Sequence, residues 1–273
     1  MLKRIIKANA KINIGLNVVS KRKDGFHDLE TIFYPIYDLY DELTFEESNK
    51  FRFISDQNFD NIIVKAVKLL ERNTKRNISV KITLKKRIPI GSGLGGGSSD
   101  AAATIKNLND IYLLNLGEKE LNEIALELGS DVPFFLNGKP AIGKSRGEDL
   151  TLLDLNINHP ILLVNPGIHL STGEAFSQIV PKSSEFDYKD IGNIPINDYH
   201  NFIVNDFEKS IFERYPEIEN IKKNLYSGGA LFASMSGTGS TVYGIFDDII
   251  DAKHISKQFP NNYFKFISNS SSK

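Results

Sequence analysis

The chain has no cysteine and no tryptophan, and only two methionines among its 273 residues. Without thiols it forms neither disulfides nor thiolate metal centres, and it has no need of an oxidising compartment. Its five histidines, His27, His159, His169, His200 and His254, show no H-x-x-x-H spacing, so a zinc site is not expected. Charge of one sign is also missing: 33 basic residues against 34 acidic ones leave a net charge of -1. That balance makes no electrostatic case for nucleic acid or a membrane surface as a partner. No apolar run reaches membrane length, and Lys7, Asn9, Lys11 and Asn13 interrupt any apolar signal segment near the N-terminus, so a cytoplasmic protein is expected.

What the chain does have is glycine in one place. Pro89-Ile90-Gly91-Ser92-Gly93-Leu94-Gly95-Gly96-Gly97-Ser98-Ser99-Asp100 carries five glycines within seven positions, a density that permits positive φ and close backbone approach to a ligand. The segment reads as a phosphate cradle in which Ser98 or Ser99 caps a helix running on through Ala101-Ala102-Ala103. A flexible linker is the bland alternative, but linkers are not bracketed by well-formed elements. Gly91, Gly93 and Gly96 also satisfy G-x-G-x-x-G, shared with dinucleotide-binding folds and protein kinases. The preceding run Ile78 to Lys85 alternates apolar and polar, unlike the buried first strand of a dinucleotide fold. Kinase H-R-D and D-F-G triplets are absent, and no lysine precedes the serine pair as in a Walker A loop.

Around this loop the pattern is α+β. Residues 1 to 19 read as strands, with Lys11 and Asn13 on a polar face that is ordinarily just solvated. Asp24-Gly25 marks a turn before Phe26-His27. Leu29 to Tyr40 is strand-rich, with Pro35 placing part of it at an edge or bulge. A helix opens at Asp60, another runs from Ser99 to about Asn115, and a third carries Leu121, Ile124, Ala125 and Leu128 on one stripe and ends at Gly129. Asp131, two residues before Pro133, has the position of a simple helix N-cap. Ala141 to Asp149 reads as a glycine-rich turn region, Ile161 to Val164 as a buried strand, and Pro181 to Asn197 as a polar loop. Ser171-Thr172 opens a helix through Phe176, and two further helical patterns end near Gly228. A second glycine cluster, Ser236-Gly237-Thr238-Gly239-Ser240, precedes a strand from Thr241 to Phe246, and the serine-rich tail from Ser268 reads as frayed.

Taken together, Ala10-Lys11-Ile12-Asn13, Asp24-Gly25-Phe26-His27, Asp60-Asn61-Ile62-Ile63, the glycine loop with Ser98-Ser99-Asp100, Gly129-Ser130-Asp131-Val132-Pro133, Asn165-Pro166-Gly167 and Ser236-Gly237-Thr238-Gly239 resemble the GHMP kinases. These are small-molecule kinases named for galactose, homoserine, mevalonate and phosphomevalonate. The match runs nearly end to end. It implies an ATP-binding domain over residues 1–151 and a second domain over 152–273, with the active site between them. It implies ATP and Mg²⁺ as cofactors, and a catalytic pair, Lys11 and Asp131, in which Asp131 handles the proton of the acceptor hydroxyl. ATP would meet Asn61, Pro89, Ile90, Gly91, Ser92, Gly93, Leu94, Gly95, Gly96, Gly97, Ser98 and Ser99, with the Ser99 hydroxyl near Mg²⁺.

Within the family the likeness leans to members acting on a cytidyl diphosphate alcohol in isoprenoid precursor synthesis by the non-mevalonate route. The substrate-binding residues this implies are Asn13, Phe26, His27, Thr172, Phe176 and Gly239. Phe26 and Phe176 would sandwich the base across the two domains, and His27 would read its edge. Such members more often carry tyrosine where this chain has Phe26, so the stacking is kept here and a hydroxyl is lost. A kinase for homoserine or mevalonate, and a non-catalytic binder on the same fold, are the rival readings. The partner is a small molecule, and a monomer or homodimer is expected.

Overall fold

The computed structural model describes residues 3–56, 61–177 and 179–269. In chain order, strands β1 (Lys3–Lys21), β2 (His27–Glu47) and β3 (Arg52–Ser55) lead into helix α1 (Ile62–Thr74), strand β4 (Val80–Lys85) and helices α2 (Gly96–Ile111), α3 (Glu118–Leu128) and α4 (Val132–Asn137). Strands β5 (Ala141–Ser145), β6 (Asp149–Leu152) and β7 (Ile161–Asn165) follow, then α5 (Thr172–Ser177) and two 3-10 helices. Helices α6 (Phe207–Arg214) and α7 (Pro216–Ser227), strands β8 (Ala230–Met235) and β9 (Val242–Phe246), α8 (Ile249–Ser256) and β10 (Phe264–Ser268) complete the order.

The contacts divide the chain into two compact units, and the division is not the single cut after residue 151 expected from the sequence. One unit takes Met1–Ala10, Leu39–Ile88 and Gly95–Gly138; the other takes Lys11–Asp38, Pro89–Leu94 and Lys139–Lys273. The reason lies in β1 and β2, strands of 19 and 21 residues that each contribute to both units.

In the first unit β4 pairs antiparallel with Glu42–Glu47 of β2 and parallel with β3. Helices α1 to α3 pack an apolar core on these strands, with Val67 and Leu70 from α1, Ile105 and Leu108 from α2, and Ile124 from α3 buried against Phe45 and Ile82. Fully burying such side chains contributes roughly 1.5–3 kcal/mol each. The helix expected to open at Asp60 is capped by Asn61, whose Oδ1 accepts from the Ile63 N–H at 2.8 Å; Asp60 itself lies outside the described residues. Helix α2 stops at Ile111 rather than near Asn115, because Leu113 and Asn115 take φ of 47° and 57°, left-handed conformations that end a helix.

In the second unit Leu29–Phe33 of β2 pairs with β5, which pairs in turn with β6. The expected turn region from Ala141 is thus a hairpin. Pro35 falls between the stretch of β2 that pairs with β5 and the stretch that pairs with β4, so neither of those ladders needs its missing N–H. The other sheet of this unit, ordered β10-β7-β9-β8, is covered by residues from α6, α7 and α8, among them Phe207, Ile218, Leu225 and Ile255. The expected polar loop from Pro181 instead holds 3-10 turns at Tyr188–Asn193 and Ile196–Asn201, with Tyr188 and Tyr199 buried. Ser268, expected in a frayed tail, ends β10 and donates from Oγ to Asp38 Oδ1 at 2.7 Å; residues 270–273 lie outside the described ones.

Candidate active site

The glycine loop owes its shape to three left-handed residues, Gly91, Gly93 and Gly95, with φ of 62°, 80° and 71°. Gly93 is the tightest. A Cβ placed there would sit 2.0 Å from the carbonyl oxygen of Ser236, so the first glycine cluster lies directly on the second. The contact is hydrogen-bonded: Ser236 Oγ donates to Gly93 O at 2.9 Å, and the Thr241 N–H donates to Ser92 O at 3.1 Å.

Gly95, not a serine, holds the N-cap position of α2, so no side chain caps this helix. The first turn is therefore Gly96, Gly97 and Ser98, and the N–H of Ser99 is already given to Gly95 O at 2.9 Å. This corrects the expectation that Ser98 or Ser99 caps the helix running on through Ala101-Ala102-Ala103. A helix leaves only its first few N–H groups without intrahelical partners, and here those belong to Gly95, Gly96, Gly97 and Ser98. Gly97 is exposed, and a Cβ on it would meet only Ile62 Cγ2 at 4.0 Å. Of the two hydroxyl residues Ser98 is half-buried and Ser99 is buried, so Ser98 offers the more accessible oxygen.

Lys11 lies in β1 and its N–H donates to Leu94 O at 3.0 Å. Its ammonium is 3% exposed as a residue and donates to Asn13 Oδ1 at 2.5 Å and to Gly93 O at 2.9 Å. The lysine thus reaches the carbonyl at the sharpest point of the glycine loop. Asn13 is oriented by its own partners, since Nδ2 donates to Thr31 Oγ1 at 3.0 Å and its backbone N–H to Ser236 Oγ at 3.1 Å. The alternating polar face of β1, which by itself reads as solvated, is buried and fully engaged. Ser236 and Thr31 were not expected in the site. Ser236 is marked in sequence only by its glycine-rich neighbours, and nothing local marks Thr31.

Asp131 occupies the N-cap position of α4, with Pro133 in the first turn, yet its side chain makes no cap hydrogen bond. The simple capping role that its sequence position allows is not the one its carboxylate performs. Lys11 belongs to the second unit and Asp131 to the first. Asn61 is 4% exposed and spends Oδ1 on the α1 cap. Pro89 O accepts from Ser92 Oγ at 2.7 Å, and Ile90 is exposed.

The residues expected to hold a base fall in one unit, not two, which corrects the expectation that Phe26 and Phe176 belong to separate domains. Phe176 stacks on His27, with ring centroids 5.0 Å apart and planes 20° apart, and meets Phe207 edge-on at 4.8 Å. Phe26 is 49% exposed, and the guanidinium of Arg146 lies 4.0 Å from its ring centroid. The structure therefore pairs Phe176 with His27 and Phe26 with Arg146. Arg146 was missed in sequence because its neighbours read as a turn. Gly239 sits where a Cβ would meet Met235 Sδ at 2.6 Å and Leu170 Cδ1 at 2.9 Å. Thr172 opens α5, but its side chain lies outside the described ones.

Among the described residues no group of three or more His, Asp or Glu side chains could hold a metal ion. No described helix is long and apolar enough to cross a membrane.

A loop of backbone donors with a lysine on one of its carbonyls is the equipment of phosphoryl transfer, where positioning and charge do most of the work. The GHMP kinases N terminal domain matches residues 61–139 and the GHMP kinases C terminal domain matches residues 188–265. The chain belongs to the GHMP kinases and is an ATP-dependent small-molecule kinase. It is 45% identical over 249 residues to 4-diphosphocytidyl-2-C-methyl-D-erythritol kinase of Bacteroides fragilis, covering 87% of this chain and 90% of that protein. The protein of the same name from Thermodesulfovibrio yellowstonii is 39% identical over 274 residues, covering 96% of each. Among solved structures, that of 4-(cytidine 5'-diphospho)-2C-methyl-D-erythritol kinase superposes with a TM-score of 0.82 at 30% identity, over 93% of this chain and 94% of the other.

Proposed function

We propose that the chain transfers the γ-phosphoryl group of ATP to the 2-hydroxyl of 4-diphosphocytidyl-2-C-methyl-D-erythritol. The observation that carries the phosphoryl-transfer part is the Lys11 ammonium, fixed between Asn13 Oδ1 and the Gly93 carbonyl of the glycine loop. The likeness to relatives with that name carries the choice of acceptor.

In this reading the N–H groups of Gly95 to Ser98 hold phosphate oxygens at the positive end of α2. Asp131 takes the proton of the acceptor hydroxyl, the freed oxygen attacks the γ-phosphorus, and the bond from that phosphorus to the bridging oxygen breaks to release ADP. Lys11 offsets the negative charge on the attacking oxygen. Ser98 and Ser99 would offer hydroxyls to a Mg²⁺ ion held mainly by phosphate and water, and the ion, when bound with ATP, would neutralise phosphate charge. A cytoplasmic location accords with a phosphorylated small-molecule chemistry of this kind.

The purified chain with ATP and Mg²⁺ is expected to phosphorylate the cytidyl substrate and to leave homoserine and mevalonate untouched, read by coupled ADP release. Equal turnover of a base-free alcohol would remove the cytidyl reading and leave the generic kinase. The base itself is assigned to the Phe176 and His27 pair. Stacking on an aromatic ring is worth roughly 1–3 kcal/mol per base, so Phe176→Ala is expected to raise KM for the cytidyl substrate about 5- to 150-fold at saturating ATP. His27→Ala is expected to narrow the preference for cytidyl over uridyl substrate. An unchanged KM in folded Phe176→Ala would detach the base from this ring.

A further inference from the structure

Beneath the glycine loop the first unit buries three charges that the transfer reaction does not use. Asp41 in β2, Lys86 just past β4 and Asp100 in α2 have side chains 0%, 5% and 3% exposed. Lys86 Nζ donates to Asp41 Oδ2 at 2.5 Å and to Asp100 Oδ2 at 3.0 Å. Asp41 Oδ1 accepts the backbone N–H groups of Arg87 at 2.6 Å and Ile88 at 2.9 Å. Arg87 and Ile88 are the residues from which the chain enters the loop at Pro89, and Asp100 is the residue that follows Ser99 on the way out. One lysine thus ties the incoming stem of the loop to the outgoing one.

The tie runs directly under the anion donors. A Cβ on Gly96 would come within 2.9 Å of Ile88 Cγ2 and 3.1 Å of Lys86 Nζ, so the ammonium supports the first residue of α2 from below. Building on the reading that ATP phosphates occupy this loop, we propose that Asp41, Lys86 and Asp100 form a clip that sets the first turn of α2 for the triphosphate. Lys86 is then a positioning residue for nucleotide affinity, acting through the backbone of Gly96 to Ser98.

The two carboxylates are unequal. Asp41 has three donors on its oxygens, whereas Asp100 has Lys86 on Oδ2 and a buried Oδ1 with no hydrogen-bond partner. An unpartnered buried oxygen is tolerated far better on a neutral acid than on a carboxylate. Burial, more than the opposing charge of Lys86, raises the Asp100 carboxyl to about 7. The charged groups facing Asp100 are Lys86 and Asp41, while the helices packed on α2 turn apolar residues to the core, Ile63 and Val67 from α1, Ile124 from α3 and Val132 from α4. With Asp100 protonated the clip is a neutral Asp–Lys pair. Deprotonation leaves a net negative charge under a site for phosphates.

Two variants of the full chain test this, with MgATP and the cytidyl substrate varied separately. Lys86→Met is expected to raise KM for ATP about tenfold or more, with kcat at saturating ATP and KM for the cytidyl substrate changing far less, the pattern of lost nucleotide binding. In the parent chain KM for ATP is expected to rise as pH passes upward through the Asp100 range, and Asp100→Asn, neutral at every pH, is expected to flatten that rise. The proposal is overturned if Lys86→Met folds with an unchanged KM for ATP, or if it degrades both substrates' KM and kcat in step with a lowered melting temperature. Should Lys86→Met fail to fold, Asp100→Asn decides alone: parallel pH profiles in variant and parent overturn the clip. A parent chain that phosphorylates no acceptor would instead fail the kinase reading itself.

Discussion

Asp131→Asn is expected to lower kcat about 10²- to 10⁴-fold with little change in melting temperature, the usual cost of removing one general base. The structure separates this outcome from the competing one. Asp131 holds the N-cap position of α4 but its side chain makes no cap hydrogen bond, so no cap is lost. Asparagine is in any case as good an N-cap as aspartate, so the substitution removes the carboxylate as proton acceptor without touching a cap. Lys11→Met should also depress kcat, because it removes the ammonium held on Asn13 Oδ1 and Gly93 O. Groups that act as a unit are not additive, so the double variant should be little worse than the worse single one. Steady-state kinetics on the three proteins, with thermal melts alongside, check the set. Turnover near that of the parent in Asp131→Asn would return the residue to a structural role.

Gly93→Ala is the second large effect, and it falls on folding before it falls on catalysis. A left-handed φ costs an alanine about 1–2 kcal/mol, and φ at Gly93 is 80°. The added Cβ would also meet the Ser236 carbonyl oxygen at 2.0 Å, and overpacking of this kind typically costs about 1–3 kcal/mol more. The sum, roughly 2–5 kcal/mol, corresponds to a drop in melting temperature of about 4–20 °C for a chain of this size. Differential scanning calorimetry reads it directly. Gly97→Ala provides the contrast, since that position faces open space apart from one contact at 4.0 Å, and alanine there should leave the melt almost unmoved.

Much of this was legible before the structure. Periodicity located α1 and α3 because each carries a regular apolar stripe, such as Ile63, Ala66, Val67 and Leu70 in α1; of α7 only the end near Gly228 was read. Glycine density located the left-handed loop from Gly91 to Gly95 because backbone that must turn left-handed needs glycine. The same rule misled at Gly143, which read as part of a turn but lies in β5 opposite Thr31. A Cβ there would meet the Phe33 ring at 2.5 Å, so glycine is required by a neighbour on the next strand rather than by a bend. Polar composition likewise hid the 3-10 turns, where Tyr188 is fully buried within a charged segment. The partners of Asn13 were out of reach for another reason. Ser236 lies 223 residues away, and no local pattern encodes a contact at that separation. The Phe176 and His27 stack, formed between rings far apart in the chain, is of the same kind.

The interleaving of β1 and β2 bears on synthesis from the ribosome. The first unit has all its segments once Gly138 has emerged. The second begins at Lys11 but acquires β9 and β10, the strands on either side of β7, only from Val242 onward. Within its earliest segment Leu29–Phe33 gains β5 once Ser145 has emerged, whereas Leu16 waits for Val204 and Asp206. Asp38 meets Ser268 only after residue 268 has emerged. Stalled nascent chains are expected to show protease protection over residues 95–138 well before residues 11–38, and simultaneous protection of both would mean that the early strand finds temporary shelter.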